Sequence, residues 1–125
     1  MTNDEILIAI QGYINKWTPL LGLENWRIVI SLLEQKDTAA KISWMVNYRK
    51  ARLFWNSTLE EPELELRPDI MEASVVHELV HLLLARVRDV IDNETTADSY
   101  LWKHYSAAEE SVVDELTSVI LRLGR

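Results

Sequence analysis

The spacing of apolar residues near the start of the chain predicts an amphipathic α-helix. Apolar side chains recur there every three to four positions, which is the period of a helix. They are Ile6, Ile10, Tyr13, Ile14 and Trp17. Asn3 is a suitable N-cap, so we expect the helix over about residues 4–17. Pro19 and Gly22 then break the pattern.

Three segments rich in β-branched and apolar residues follow and predict strands. Residues 26–33 form the first. Residues 42–48 alternate apolar and polar side chains, as a half-buried strand does. After a tight turn near Arg49 and Lys50, residues 51–57 read as the antiparallel partner of the second. Together the segments predict a small, twisted, mostly antiparallel sheet.

A long apolar run then predicts a central helix over about residues 70–87, because nearly every side of that helix would be apolar. Pro62 and Pro68 bracket the link that precedes it. Asp69, with Glu72 three positions later, has the form of a capping box. The polar stretch 88–99 predicts a loop, although residues 95–105 could hold a helix of their own.

The last segment, residues 106–124, predicts an amphipathic helix that Gly124 ends. Its apolar residues are expected on one face: Val112, Val113, Leu116, Val119, Ile120 and Leu123. We find no internal repeat and no boundary to a second domain. The chain is therefore expected to be a single α+β domain over residues 1–125.

Composition and charge narrow the function classes. The chain has no cysteine, so any metal must be held by histidine and carboxylate side chains. A net charge of −7 argues against a nucleic-acid partner, and the basic cluster of Arg49, Lys50 and Arg52 is too small to change this. No apolar run approaches the roughly 20 residues that span a bilayer, and the N-terminus lacks the basic start of a secretory signal. We expect a cytoplasmic protein with no membrane partner.

Two of the three histidines of the chain lie in the apolar run, as His77-Glu78-Leu79-Val80-His81. Residues four apart project from adjacent turns on one side of a helix, so both imidazoles can bind one cation. Zinc accepts such nitrogen ligands, and Glu78 could reach a water molecule on the metal and act as a general base. The alternative is a pair of buried histidines that bond to neighbouring backbone or carboxylate groups.

The motif HELVH, followed by EESVVDEL on a later helix, resembles the gluzincin branch of zinc metallopeptidases. The resemblance implies that Glu110 is the third zinc ligand and that Asp114, one turn later, supports a ligand histidine. In size the chain is similar to minimal single-domain members and to short peptidase-like proteins of phages. The resemblance to gluzincins also implies a zincin-like fold that binds an extended peptide at an edge strand of its sheet. Residues 42–48 or 53–56 could form that edge strand.

The third ligand has alternatives, because the wheel of the last helix puts Glu109 nearer than Glu110 to the centre of the apolar face. His104 would give a three-histidine site of the SprT-like kind. The remaining acids in reach are Glu94, Asp98 and Asp92. The resemblance also calls for a side chain that stabilises the oxyanion, with Tyr100, His104 and Tyr105 as candidates.

The function expected from these features is a zinc-dependent metallopeptidase that hydrolyses a peptide or amide bond in a peptide or protein substrate. Glu78 would serve as general base and then general acid. The alternatives are a zinc-stabilised peptide-binding module, a latent or inactive peptidase-like protein, and an interaction protein without metal.

Overall fold

A computed structural model describes residues 2–33, 40–56, 67–96 and 99–124. Within these ranges the elements are α1 (Asn3–Leu20), β1 (Arg27–Leu33), β2 (Ala40–Met45), β3 (Lys50–Asn56), α2 (Pro68–Leu83), α3 (Ala85–Glu94) and α4 (Tyr100–Leu123). The α+β class is confirmed. The predicted link around Pro62 and the candidate ligand Asp98 lie outside the described residues.

Helix α1 begins with a capping box that the apolar pattern did not reveal. The Thr2 hydroxyl accepts a hydrogen bond from the Glu5 backbone N–H at 3.2 Å, and the Glu5 carboxylate accepts one from the Thr2 N–H at 3.0 Å. Asn3 is therefore the first helical residue, and its prediction as the N-cap is wrong. Thr2 takes that place because Glu5 stands three positions later and can return the bond.

The sheet is mixed, with strand order β1-β3-β2. Strands β2 and β3 form the predicted antiparallel hairpin, and Arg49 turns the chain with a positive φ of 50°. Strand β1 pairs with β3 in parallel, so the prediction of a mostly antiparallel sheet is wrong. Because β3 lies in the middle, residues 53–56 do not form an edge. Of the two candidates, only the segment that begins in β2 does so within the described residues.

Strand β2 is also shorter than predicted. It ends at Met45, and residues Val46–Tyr48 form a 3₁₀ turn instead of continuing the strand. The alternation of side chains persists through the turn, which explains why the pattern alone extended the strand to Tyr48.

The core lies between the sheet and two helices. One stripe of α1 is buried, and so is nearly the whole circumference of α2, as the all-round apolar pattern predicted. From the sheet, the inward positions of β3 complete the core. The largest fully buried side chains are Trp17, Trp55, Ile10, Leu53, Met71, Leu79 and Leu82. Helix α2 thus packs against α1 and α4 and against β2.

The boundaries of α2 differ from the prediction at both ends. Arg67 is the N-cap and Pro68 occupies the first turn, so Asp69 does not cap the helix. Glu72 instead accepts hydrogen bonds from the Trp17 indole N–H at 2.9 Å and from Lys16 Nζ at 2.8 Å. These bonds to α1 cross 55 and 56 positions of sequence, which is why a local capping pattern was misleading.

Helix α2 ends at Leu83, before the predicted end near residue 87. After Leu84 the chain enters α3, most of which lies in the stretch 88–99 that was predicted as a loop. Two bonds tie the polar side of α3 to other elements: Trp44 Nε1 donates to Asp89 and Trp102 Nε1 donates to Asp92, each at 2.9 Å. Such tertiary contacts stabilise a helix whose composition alone resembles a loop.

Helix α4 is longer than predicted and presents a different face. It begins at Tyr100, where the Ser99 side chain caps it, and runs unbroken to Leu123. The buried stripe consists of Glu109, Val113, Thr117 and Leu121. Of the predicted apolar face, four members are exposed: Val112, Leu116, Val119 and Leu123. None of the described helices combines the length and the hydrophobicity that a bilayer-spanning segment requires.

Candidate metal centre

Helix α2 brings His77 and His81 together on consecutive turns. Their ring centroids are 4.9 Å apart and the ring planes are inclined by 70°. Both side chains are mostly enclosed, with 27% and 12% of their surface exposed. The apolar circumference of α2 holds this helix in the core, so the two imidazoles emerge at the boundary between the core and α4.

Helix α4 supplies three carboxylates, and each faces an imidazole nitrogen. Glu110 lies between the rings, with one oxygen 2.9 Å from His81 Nε2 and the other 3.5 Å from His77 Nε2. Asp114 lies 3.2 Å from His77 Nδ1. Glu109 lies 2.9 Å from His81 Nδ1. Each ring therefore has one nitrogen toward Glu110 and the other toward a second acid.

A neutral imidazole carries its hydrogen on one nitrogen, and carboxylates face both nitrogens of each ring here. With the hydrogens on Nδ1, His77 donates to Asp114 and His81 donates to Glu109. In this tautomer both Nε2 atoms present lone pairs toward Glu110, and the three groups are a suitable ligand set for a cation. A charged ring would instead donate from both nitrogens.

The surroundings shift the pKa of His77 and that of the neighbouring acid, Glu78. Burial, followed by the nearby His81, lowers the pKa of His77, so the ring favours the neutral form more than a free histidine does. The carboxyl of Glu78 is buried in the adjacent position, and burial together with the Glu110 charge raises its pKa to about 8. Among the described residues, no group forms a hydrogen bond with the Glu78 carboxyl.

The distances suit a small divalent cation. One ligand atom from each of His77, His81 and Glu110 lies within 4.8 Å of the others. A tetrahedral zinc ion with bonds of about 2.0–2.1 Å holds its ligand atoms about 3.3 Å apart. The separations of 2.9 and 3.5 Å from Glu110 to the two Nε2 atoms lie on either side of that value.

The side chains that surround Glu109 on the side away from His81 were not predicted from the sequence. Arg88 on α3 lies with Nη1 3.8 Å from Glu109 Oε2, and it also pairs with Asp92 at 3.2 Å. Its guanidinium packs on the rings of Trp102 and Tyr105. Burial and the Glu109 carboxylate raise the pKa of Tyr105 to about 12. The one sequence signal for Glu109 was its inward position on the helical wheel.

The other candidate ligands lie elsewhere. His104 is exposed and contacts Tyr100, with ring centroids 4.2 Å apart. Asp92 pairs with Arg88, and Glu94 is exposed at the end of α3. Of the described candidates, only Glu110 groups with the two histidines. Neither cleft beside this group is lined by any of the three proposed oxyanion-stabilising side chains, Tyr100, His104 and Tyr105.

Two clefts flank the cluster and share Ala40, His77 and Glu78. One, of about 480 Å³, has an apolar wall that includes Ile42, Trp44 and Trp102. The other, of about 770 Å³, is lined on its polar side by Asp69, Ser74, Asp114 and Ser118. These shared residues place His77 and Glu78 where the two clefts meet, while His81 borders the smaller cleft.

No protein-family model, curated protein or solved structure matches this chain at a significant level.

Proposed function

We propose that the protein is a small zinc-dependent hydrolase that cleaves peptide or amide bonds, with His77, His81 and Glu110 as the metal ligands. The observation that carries the proposal is the orientation of the two rings. Both Nδ1 atoms face other carboxylates, and both Nε2 atoms face Glu110. A divalent cation satisfies all three converging groups at once and offsets the acids around them.

Residues around the proposed metal site would have separate roles in hydrolysis. A bound zinc ion would supply a Lewis acid, which lowers the pKa of water from 15.7 to about 7. Glu78 is the acid next to the ligand set. The positive charge of a bound ion would favour its ionised form over the protonated form that burial and Glu110 favour, and this carboxylate would accept the proton of the attacking water and pass it to the leaving amine. Asp114 and Glu109 would orient the imidazoles, because a ligand histidine usually donates its second N–H to a carboxylate.

The two clefts support a substrate that is longer than one residue. A peptide that crosses the cluster would leave side chains on the apolar wall of Ile42, Trp44 and Trp102 and, beyond the cluster, near Asp69 and Asp114. Strand β2 borders both spaces through Ala40, so its edge is the candidate for main-chain pairing with an extended peptide. The motif resemblance to gluzincins adds to this proposal.

The experiment separates metal binding from hydrolysis. Glu78→Gln is expected to retain zinc and to lose at least about 100-fold in hydrolysis of a peptide library, because the amide cannot accept the proton. Glu110→Gln is expected to weaken zinc binding in a competitive titration with a chromogenic chelator. Glu115→Gln, an exposed acid on the same helix, is the matched control and should change neither property.

A wild-type protein that binds one zinc ion per chain and cleaves nothing in the library would favour the zinc-stabilised binding module. A protein that binds no zinc after purification without chelator would exclude both the hydrolase and that module.

A further inference from the structure

The sheet gathers basic residues that are scattered along the sequence. Alternate positions of the three strands form its outer face, in three rows set by the strand register. The rows are Arg27, Lys50 and Met45, then Val29, Arg52 and Ser43, then Ser31, Phe54 and Lys41. Four of these side chains are basic and none is acidic, although the whole chain has a net charge of −7. We call these residues the basic face.

Within the described ranges, the cations of the basic face lack acidic partners. Arg52 Nη1 donates to the Ser31 hydroxyl at 2.7 Å, and Lys41 Nζ lies 5.3 Å from the centre of the Phe54 ring. No carboxylate of the described residues pairs with these two or with Arg27 and Lys50. Basic side chains on neighbouring strands repel one another, so a bound anion would lower the electrostatic repulsion within the basic face.

The same face also exposes apolar side chains. Val29 and Met45 are 45% and 56% exposed, and they border a shallow cleft of about 410 Å³ together with Arg27, Lys50 and Arg52. An inorganic anion would use only the charges. The combination of cations and apolar side chains fits a ligand that carries both carboxylates and apolar groups.

We propose that the basic face binds an acidic segment of a partner protein, in which carboxylates alternate with apolar side chains. Residues of one row are about 4.8 Å apart and successive rows about 7 Å apart, which is the repeat of an extended peptide. The patch is therefore about 10 by 14 Å and accommodates two or three carboxylates. The inward residues Ala40, Ile42 and Trp44 of β2 border the candidate metal centre, so the basic face is on the opposite side of the sheet. Lys41, on this edge strand, also borders that cleft, but Arg27, Lys50 and Arg52 do not, and the proposal does not depend on the proposed hydrolase.

Two features favour a peptide over single-stranded nucleic acid. A polynucleotide extends beyond so small a patch, and the rest of this acidic protein would repel its phosphates. Base stacking requires an exposed aromatic face, and Lys41 covers the ring of Phe54.

The test uses fluorescence anisotropy with a labelled decapeptide of alternating glutamate and leucine. The full chain is expected to bind it saturably, and Lys50→Gln with Arg52→Gln is expected to weaken binding about fivefold or more through loss of two charge pairs. Arg86→Gln with Lys103→Gln removes the same charge at exposed positions away from the face and should have little effect. Circular dichroism of both variants checks that they remain folded.

Three results would overturn the proposal. The first is absence of saturable binding, or equal weakening in both double variants. The second is tighter binding of a ten-nucleotide oligothymidine, which would identify the face as a nucleic-acid site. The third is a dimer in sedimentation velocity that the Lys50 and Arg52 substitutions disperse, which would make a second copy of the chain the partner.

Discussion

At the scale of single residues, the candidate centre depends on which acid faces which nitrogen. Glu109 and Glu110 are neighbours in sequence but have different surroundings: the first side chain is 5% exposed and the second 59%. The buried acid faces His81 Nδ1, and the exposed one reaches the Nε2 atoms of both rings. The proposed ligand is not the most buried acid, because the group of His77, His81 and Glu110 lies at the edge of the core.

The role of Glu109 can be tested by a change that keeps its shape. Glu109→Gln is expected to lower zinc affinity about tenfold, because the neutral amide orients and polarises the His81 ring less than a carboxylate does. The measurement is a competitive zinc titration at constant pH. Asp92→Asn is the matched control, since Asp92 also pairs with Arg88 but does not contact His81. Equal losses in the two variants would contradict this role.

At the scale of elements, the helices show which features of sequence were informative. The all-round apolar pattern of α2 identified a central helix correctly, because that pattern depends only on burial. The cap of the same helix was misassigned, because Glu72 forms long-range bonds to α1. The buried stripe of α4 was predicted only in part: the inward positions of Glu109 and Val113 are confirmed, whereas Val112 and Leu116 are exposed.

The uncapped start of α2 leads to a stability prediction. Arg67 has the extended backbone of an N-cap, but its side chain does not accept a hydrogen bond from the helix. Arg67→Ser should stabilise the protein by about 1 kcal/mol, because a serine hydroxyl can accept a bond from one of the free N–H groups. The loss of the exposed pair with Asp69 costs little. Urea denaturation measures the change, with Arg86→Ser as control, and an unchanged midpoint would argue against it.

At the scale of the whole molecule, the sequence predicted the α+β class, the order of most elements and the pairing of β2 with β3. It did not predict that β3 enters between β1 and β2, because the strands carry similar inward apolar residues and local pattern does not specify strand order. It indicated His77, Glu78 and His81 through their spacing. The sequence did not predict that Arg88 lies beside Glu109, because this contact forms only when α3 packs against α4.

Zinc should stabilise the whole chain if the ligands come from α2 and α4, since unfolding separates them. At a free zinc concentration 100 times the dissociation constant, linkage contributes about 2.7 kcal/mol. For a domain of this size the midpoint of thermal unfolding should rise by about 10 °C. His77→Ala should abolish the rise, and His104→Ala, at an exposed histidine outside the cluster, should retain it. A shift that survives His77→Ala would place the ion elsewhere.

The break at Leu84 separates α2 from α3, so the direction in which each side chain of α3 points is not fixed by the helical repeat of α2. One additional residue at this junction would turn α3 by about 100° around its own axis. The guanidinium of Arg88 would then point away from Glu109, while the histidines of α2 would keep their positions. The length of the connection is therefore as much a part of the site as the side chains, and an insertion there would disturb the site without replacing any of them.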